Sequence, residues 1–388
     1  MNILIVGAGI GGLTLAYWLK QYGHTPTVVE KAPDIRTAGY MIDFAGSGWD
    51  VANRMGIIPH LQAKSLPISQ LVYVDNQGHT TARLSMERLL QAANTRDRYL
   101  ALNRRDLVIT LYEAIQHDVP VHFATSISDV CQSDSKVAVR FSPSGEEQDF
   151  DIVVGADGIH SNVRRLAFGI EAEYARYLGY YVAVFPAPAQ PDIIEPGYVL
   201  HLTPNCQFGV LAVDPDQWLI YVVFKHDDEG HIPPESRLAL LTSQLHQHGW
   251  LVSKVLDGLP PDTPIFMDTV TQIEMPVWST NRVALIGDAA HCLTLISGQG
   301  AAMAMAGAYF LAEALHDAAE YRTAFDRYEA RLRPHIERAQ AKARRFAPNF
   351  IPSTDLRVAL TTWAVRLMDI APVAKLVGKQ FSVESLLT

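Results

Sequence analysis

The feature that most constrains this chain is a glycine-rich turn directly after its first apolar segment. Residues 2–6 are predicted to form a short buried strand, and the motif Gly7-Ala8-Gly9-Ile10-Gly11-Gly12 follows at once. In such a motif the first glycine, Gly7, permits the tight bend and the second, Gly9, lets a pyrophosphate approach the backbone. The last, Gly12, lets helix and strand pack closely. The motif therefore predicts a strand, turn and helix that bind a dinucleotide at the helix N-terminus.

The next segment carries the acidic residue that accompanies such sites. A helix is predicted for residues 13–22, and the apolar strand after it ends on Glu30, 18 residues beyond Gly12. A carboxylate at that distance accepts hydrogen bonds from ribose hydroxyls and disfavours a 2′-phosphate. We therefore predict that Glu30 and its neighbour Lys31 belong to the cofactor site.

A second strand and turn lie far downstream. The apolar run 283–286 is followed by Asp288, and Gly298 and Gly300 then precede a long helical pattern. Asp288 is suited to accept hydrogen bonds from the ribityl hydroxyls of a flavin, although aspartate here is also a common helix N-cap. The helix start at Gly300 and Ala301 would direct its positive end at the pyrimidine edge of the flavin ring. Together the two segments predict bound FAD.

The composition limits the classes of protein to consider. At 388 residues the chain has room for two domains, and its net charge of −9 argues against nonspecific nucleic-acid binding. Its three separated cysteines favour a reducing compartment and predict neither a disulfide nor a metal site. Because neither a signal sequence nor a spanning segment is visible, we expect a cytoplasmic protein. The choice between a monomer and a homodimer stays open.

The pattern along the chain predicts an α/β protein with two domains and a helical C-terminal segment. A Rossmann-like FAD domain of the glutathione-reductase type is expected in three pieces, and a mostly antiparallel β-sheet substrate domain in two. The expected boundaries are 1–66, 98–168 and 276–320 for the FAD domain, 67–97 and 169–275 for the sheet domain, and 321–388 for the helices.

Three local features are also predicted. One strand is expected over residues 149–154, and Pro334 and Pro348 are expected to interrupt the C-terminal helices. An apolar seam follows three- and four-residue spacing in the last helix, at Leu356, Leu360, Trp363, Leu367 and Ile370. The seam favours a helix docked on the protein itself, with a membrane surface or a dimer face as the alternative.

A third strand and turn complete a set of three motifs. Residues 151–154 lead into Gly155-Ala156-Asp157-Gly158. With the two segments above, this block resembles the p-hydroxybenzoate-hydroxylase-type, single-component FAD monooxygenases over roughly residues 1–345. Within that family the chain is most similar to the tetracycline-inactivating and polyketide-modifying members. The resemblance implies a cofactor role for Asp157.

The resemblance assigns three further residues. Residues 36–43 are similar to the family's segment after the second strand, and residues 103–107 (Asn-Arg-Arg-Asp-Leu) are similar to one of its helix starts. By this likeness Asp43 contacts the flavin, Arg36 lies near the nicotinamide donor and Arg104 contacts FAD. From the residues alone, the two arginines are also explained as surface charges.

The match departs from the family at the downstream turn. The family usually has proline where this chain has Thr294 and Leu295, and it often has asparagine at the position of Ala302. These departures concern the residues that would hold the flavin ring and those that would direct its reaction with oxygen. His291, which follows the Asp288 turn, is interpreted as a support for that turn rather than as a catalytic base.

The family's chemistry implies an FAD monooxygenase that uses NADPH or NADH and O2. A flavin C4a-hydroperoxide would hydroxylate an aromatic or polyketide-like small molecule, tetracyclines among the candidates. Because the cofactor carries this chemistry, no catalytic side chain is named. Two alternatives stay open: a flavin oxidase or dehydrogenase on the same scaffold, and a flavin-binding protein without turnover.

Overall fold

A computed structural model describes residues 1–35, 40–190, 197–212, 216–294, 297–368 and 385–387. Its strands are β1 (Asn2–Val6), β2 (Thr25–Val29), β3 (Met41–Ala45), β4 (Gln70–Val74), β5 (Thr80–Ser85), β6 (Tyr99–Asn103), β7 (Val121–His122), β8 (Ser126–Gln132), β9 (Val137–Ser142), β10 (Glu147–Phe150), β11 (Ile152–Gly155), β12 (Ala175–Pro188), β13 (Gly197–Thr203), β14 (Cys206–Ala212), β15 (Gln217–Lys225), β16 (Phe266–Ile273), β17 (Ser279–Thr280) and β18 (Val283–Leu285). Its α-helices are α1 (Ile10–Gln21), α2 (Ser47–Arg54), α3 (Ile58–Ala63), α4 (Met86–Ala92), α5 (Arg104–Glu113), α6 (Asn162–Ala167), α7 (Pro234–Leu245), α8 (Val252–Asp257), α9 (Asp288–His291), α10 (Gly300–Asp317), α11 (Tyr321–Phe350) and α12 (Asp355–Met368).

The first sheet places the predicted cofactor motifs at one edge. Its six strands lie in the order β17-β18-β11-β1-β2-β7, and the pairs from β18 to β7 are parallel. The register sets Val6 opposite both Val29 and Gly155, and Gly155 opposite Leu285. The carboxyl ends of four strands therefore lie side by side, where ligands of open α/β sheets bind.

This sheet forms because its strands are nearly continuous aliphatic runs that can be buried on both faces. Leu4, Val153 and Leu285 have no exposed surface. Helix α10 packs on α1, α2 and α11, and the small sheet β10-β9-β8 adds Val139 and Phe150 to the same core. The core thus holds the glycine turns of different strands in one fixed arrangement.

The single strand predicted for residues 149–154 is wrong, because the structure divides it between two sheets. Strand β10 pairs with β9, whereas β11 pairs with β1. At the crossing, the Asp151 carboxylate accepts bonds from the Asn2 N–H at 2.6 Å and from the Lys136 ammonium at 2.5 Å. These bonds hold the chain where it leaves one sheet for the other.

The second sheet has seven strands in the order β16-β12-β15-β14-β13-β4-β5. All neighbours are antiparallel except β13 and β4, which confirms the mostly antiparallel sheet. Its outer face, which carries Phe208 and Ile220, packs against α7 and α8. Its inner face carries Tyr198, Tyr221 and Val223, and the end of α11 covers part of it. The domain boundaries stay a prediction.

The expected interruptions of the C-terminal helices are wrong. Helix α11 continues through both Pro334 and Pro348. Leu332 and Ile336 on either side of Pro334 are buried in the core. Packing along this long helix therefore outweighs the backbone hydrogen bond that each proline removes.

Helix α12 docks on the protein itself, as expected, but its apolar seam is not the face that it uses. The helix lies along β5, where Val365 is buried and the Arg366 guanidinium donates to the carbonyl oxygen of Thr81. Three seam residues are 56–70% exposed: Leu356, Leu360 and Trp363. Leu367 is half-buried, and Ile370 lies outside the described residues. In the part of the chain that the structure describes, no helix is long and apolar enough to cross a bilayer.

Candidate functional site

The glycine turn between β1 and α1 leaves no room for a side chain at two of its positions. Gly7 has φ +110°, and a Cβ there would lie 2.5 Å from the carbonyl oxygen of Ala156. A Cβ on Gly12 would lie 2.0 Å from the carbonyl oxygen of Gly7. A Cβ on Gly9 would meet a single atom, at 3.9 Å. Gly9 therefore leaves open space directly above the backbone, as the close approach of a pyrophosphate requires.

Helix α1 directs its N-terminus into the same space. Gly9 is its N-cap, and among the described residues no side chain caps it and no acid stands in its first turn. The uncapped N–H groups and the helix dipole favour an anion at this position. This end of the helix is suited to the pyrophosphate of a dinucleotide.

Glu30 lies beside this turn, at the end of β2. Its carboxylate accepts hydrogen bonds from the N–H groups of Ala8 and Ala32, each at 2.9 Å, and the residue is 8% exposed. These two bonds fix the direction of the carboxylate relative to the glycine turn. An oriented acid at the end of β2 is what recognition of a ribose requires.

These elements surround a recess of about 120 Å³. Six predicted residues line it: Gly7, Gly9, Glu30, Lys31, Arg104 and Asp157. Four polar residues that sequence analysis missed also line it: Thr125, Ser126, His160 and Asn162. Thr125 and Ser126 follow β7, so polar residues after the carboxyl end of a parallel strand were the available signal.

Arg104 extends the recess toward the second cluster of predicted residues. It is the first residue of α5, whose N-cap Asn103 accepts the Arg105 N–H at 3.0 Å. Its own N–H donates to the carbonyl oxygen of Tyr40 at 2.9 Å. Among the described residues its guanidinium has no hydrogen-bond acceptor, and it acts electrostatically on Tyr40 and Asp288. A half-buried guanidinium without an acceptor is suited to a phosphate.

The side chain of Asp157 is engaged elsewhere. Its carboxylate accepts the Ser161 hydroxyl at 2.5 Å and the N–H groups of Asn162 and Val163 at 2.7 and 3.0 Å. These bonds tie the turn after β11 to the start of α6. Burial raises the pKa of Asp157 despite them. The structure thus gives Asp157 a positioning role in the wall of the recess, and its cofactor contact stays a prediction.

Asp288, Gly300 and Ala301 form the second cluster. Asp288 follows Gly287, whose φ of +59° turns the chain at the end of β18. A Cβ on Gly300 would lie 4.0 Å from an Asp288 carboxylate oxygen, and Ala301 stands in the first turn of α10. Asp288 is exposed to solvent; desolvation by the surrounding protein raises its pKa, and Arg104 lowers it.

Gly298 lies two residues before this helix start. It has φ +64°, and a Cβ there would meet nothing within 4 Å. The open space and the left-handed backbone are suited to the close approach of a flat ring. Neither Gly298 nor the Asp288 cluster lines the small recess, so the predicted residues fall into two groups that Arg104 joins.

Asp43 does not line the small recess, and its carboxylate lies toward the second sheet. It lies on β3, which pairs with β6, and it accepts the Tyr99 hydroxyl at 2.6 Å. Burial raises its pKa, and the Tyr99 bond lowers it. Its carboxylate acts electrostatically on Tyr198 of the inner face. Arg36, predicted near the nicotinamide donor, lies outside the described residues.

His160 joins the cofactor sheet to the second sheet. Its ring nitrogens lie 3.4 Å from Asp268 on β16 and 2.9 Å from Glu171. Hydrogen bonding to Asp268 and then to Glu171 raises its pKa to about 10. Arg164, fully buried, donates to Glu171 at 2.8 Å. The wall of the recess is therefore held by a charged cross-link between the sheets.

Two described residues near the turn that departs from the family, His291 and Ala302, are buried, whereas Leu295 lies outside the described residues. His291 is 3% exposed beside Trp278 and Tyr328, and burial lowers its pKa to about 3, so its role as a support for the turn stays a prediction. Ala302 is buried, and a Cβ added to Gly48 would lie 3.0 Å from its Cα. Close packing between α2 and α10 thus explains a small residue at position 302.

Sequence comparison adds to this geometry. Residues 1–343 match the family described as FAD binding domain. A flavin-dependent monooxygenase from an unknown prokaryotic organism is 33% identical over 346 residues, 88% of each chain. A flavin-dependent monooxygenase of a Phoma species is 32% identical over 329 residues, covering 80% of this chain and 76% of that one.

Solved structures share the whole architecture. The tetracycline destructase Tet(51) superposes with a TM-score of 0.82 at 28% identity, covering 99% of both chains. HpxO of Klebsiella pneumoniae, solved with FAD and uric acid, superposes with a TM-score of 0.81 at 21% identity, covering 99% of this chain and 96% of that one. The second likeness concerns the fold alone.

Proposed function

The chain belongs to the FAD-binding-domain family, and from this membership we propose an NADPH- or NADH-dependent monooxygenase that hydroxylates an aromatic or polyketide-like molecule. That it is an FAD-dependent oxidoreductase follows from its family and its monooxygenase relatives. The observation that carries the proposal is the convergence of two groups of residues at one sheet edge. Arg104 stands between the recess at Gly9 and the carboxylate of Asp288.

The residues present fit FAD in their chemistry. The first amides of α1 would hold the pyrophosphate, Glu30 the ribose and Arg104 a phosphate. Asp288 would accept the ribityl hydroxyls, and the N-terminus of α10 would stabilise negative charge on the reduced ring. FAD, when bound, supplies the redox and oxygen chemistry, so the protein's part is to bind, orient and shield the reactants.

The inner face of the second sheet is the proposed substrate wall. It carries half-buried tyrosines, and Asp43 acts on one of them, Tyr198, from the cofactor side. The outer face is covered by the side chains of α7 and α8. A flat substrate between Asp43 and the inner face would lie against the cofactor side of the molecule, which favours aromatic compounds.

Tetracyclines are the first substrates to test, because Tet(51) is a tetracycline destructase with the same architecture. FAD-loaded protein is mixed with tetracycline and NADPH or NADH under ¹⁸O₂. We expect substrate-stimulated oxidation of one reduced nicotinamide and a product that contains one labelled oxygen. Fused-ring aromatic polyketides are tested in parallel, because the substrate class extends beyond tetracyclines.

Two outcomes would contradict the proposal. Stoichiometric hydrogen peroxide with unlabelled product from every substrate tested would indicate an oxidase. Nicotinamide oxidation that no substrate stimulates, in protein that retains its FAD, would indicate a flavin-binding protein without turnover.

A further inference from the structure

Helix α12 carries an apolar stripe on the side away from the sheet. Leu356, Leu360 and Trp363 are 56–70% exposed, and the half-buried Leu367 continues their line. Their spacing of three and four residues sets them on one face of the helix. At 3.6 residues per turn this face lies opposite Val365, which packs near β5. The stripe therefore points away from the sheet on which the helix is docked.

Two arginines border the stripe. Arg357 and Arg366 are exposed, and the turn of the helix sets them roughly 90° to either side of the stripe. The single acid of α12 is Asp355, in its first turn. An apolar stripe that includes tryptophan and leucine and is bordered by long basic side chains is typical of a helix that lies in the surface of a membrane.

Positive charge is concentrated at this end of the chain. Residues 338–368 contain six basic residues and one acid, whereas the whole chain has a net charge of −9. Helix α12 begins five residues after α11 ends, and the exposed side of the last turns of α11 is basic as well. Three exposed cations follow four- and three-residue spacing there, and Phe346, next in sequence, is 53% exposed: Arg338, Lys342 and Arg345. A segment whose charge is opposite to that of the whole protein favours binding to an anionic surface.

A second copy of the chain fits this stripe less well than a lipid surface does. A symmetric pair of α12 helices would bring the bordering arginines of both copies together, with Asp355 as the one acid of each helix to balance them. Three exposed apolar side chains are also a small part of the roughly 800 Å² per partner that a stable dimer buries. Anionic headgroups instead give each arginine a phosphate to bind.

We propose that α12 is an interfacial helix that docks this protein on an anionic lipid surface. Leu356, Leu360 and Trp363 enter the boundary between headgroups and acyl chains, while Arg357 and Arg366 bind headgroup phosphates. A stripe of this size binds weakly by itself, so the apolar and the charged contacts are both required. Trp363 and Arg366 also border a cavity of about 810 Å³ between α12 and the second sheet, which docking would bring next to the lipid.

Vesicle association of the FAD-loaded protein tests the docking. The vesicles consist of phosphatidylcholine alone or of phosphatidylcholine with about one third phosphatidylglycerol, and bound protein is measured after sedimentation. One basic residue near an anionic surface contributes roughly a factor of five in partitioning. We expect at least about tenfold stronger partitioning onto the anionic vesicles, most of it lost in about 1 M NaCl. Equal partitioning onto both kinds of vesicle, or none onto either, would overturn the proposal.

Variants assign the binding to α12. The double variant L360S/W363S should weaken partitioning onto anionic vesicles about tenfold or more, because two apolar side chains leave the stripe. R357Q should weaken it about threefold to fivefold and leave partitioning onto phosphatidylcholine unchanged. V277S and R322Q are the matched controls, because Val277 is 50% exposed outside α12 and the exposed Arg322 lies at the other end of α11. Controls that weaken partitioning as much as the α12 variants do would contradict the assignment.

Sedimentation velocity separates lipid docking from self-association. A concentration-dependent dimer of the FAD-loaded wild type that L360S/W363S abolishes would assign the stripe to a second copy and overturn the lipid docking. Unchanged vesicle binding by L360S/W363S, with FAD content and melting temperature as in wild type, would overturn it as well. The docking does not rest on the proposed function, so failure of the turnover assay would leave this test intact.

Discussion

The cofactor edge of the parallel sheet and the inner face of the seven-stranded sheet are built in opposite ways. At the cofactor edge the decisive contacts involve backbone, as at Gly7 and Gly12, where a side chain would collide with a carbonyl oxygen. On the inner face they involve side chains from strands far apart in sequence, such as Tyr73, Tyr198 and Tyr221. The first region therefore leaves no room for a side chain at Gly7 and Gly12, whereas the second presents its side chains to the space that it faces.

The largest expected effect on stability comes from adding a single methyl group to the glycine turn at the cofactor edge. G12A would place a Cβ 2.0 Å from the Gly7 carbonyl oxygen. We expect the free energy of unfolding to fall by about 3 kcal/mol or more, at the upper end for overpacked positions, together with loss of FAD.

The neighbouring glycine provides the control. A Cβ on Gly11 would meet Ile286 and Ala304 at 3.5 Å or more, which is ordinary contact, and the position lies inside α1. G11A should gain roughly 0.5–1 kcal/mol, as alanine usually does in a helix. The free energies of unfolding of apo G12A and apo G11A are measured by urea unfolding. Equal destabilisation by both substitutions would contradict the claim that the Gly7 carbonyl oxygen excludes a side chain at Gly12 specifically.

A medium effect is expected where α12 docks on the second sheet. Val365 is 6% exposed and packs near Ala82 and Leu84, whereas Trp363 is 59% exposed. V365A should lower the free energy of unfolding by roughly 1–2 kcal/mol, and W363S should change it by less than about 0.5 kcal/mol. If urea unfolding gave the reverse order, the exposed seam would be the true docking face.

The smallest expected effect on stability concerns His160, which links the cofactor sheet to the second sheet. His160 has a folded-state pKa of about 10, above the ordinary 6.5, because it bonds Asp268 and Glu171. Its stabilisation is therefore complete below pH 6.5 and is lost as the pH rises toward 10. The imidazole is 56% exposed, so the effect of H160Q at pH 6 should stay below about 1 kcal/mol.

The measurement is urea unfolding of H160Q and wild type at pH 6, 8 and 10. The difference between them should shrink as the pH rises. H117Q, at an exposed histidine, is the control and should give no such trend. A difference that is constant across these pH values would show that the cross-link does not depend on the imidazolium.

The same contrast explains what could be predicted from sequence. The turn at Gly7, the helix closed by Gly23 and the strand before Asp288 depend on neighbouring residues, and the structure has them where expected. The break at Pro334 was wrong because a distant core holds the helix together. The strand predicted over residues 149–154 and the docking face predicted for α12 were also wrong because contacts with residues distant in sequence determine them.

Two site features also escaped prediction for this reason. His160 acquires its place from Asp268, more than a hundred residues away in the chain. Asp157 shares its turn with the recess, but its carboxylate is used by the start of α6. Sequence placed both regions in the right architecture, whereas the partners of individual polar side chains depend on tertiary contacts.

The most direct test of the central claim asks whether Glu30 and Asp288 hold the two halves of one dinucleotide. Dissociation constants of FAD and of ADP are measured for apo wild type, E30A and D288A. We expect E30A to weaken both ligands about tenfold, and D288A to weaken FAD about thirtyfold or more while leaving ADP within about twofold. Equal weakening of both ligands by D288A, or an unchanged FAD affinity, would contradict the account.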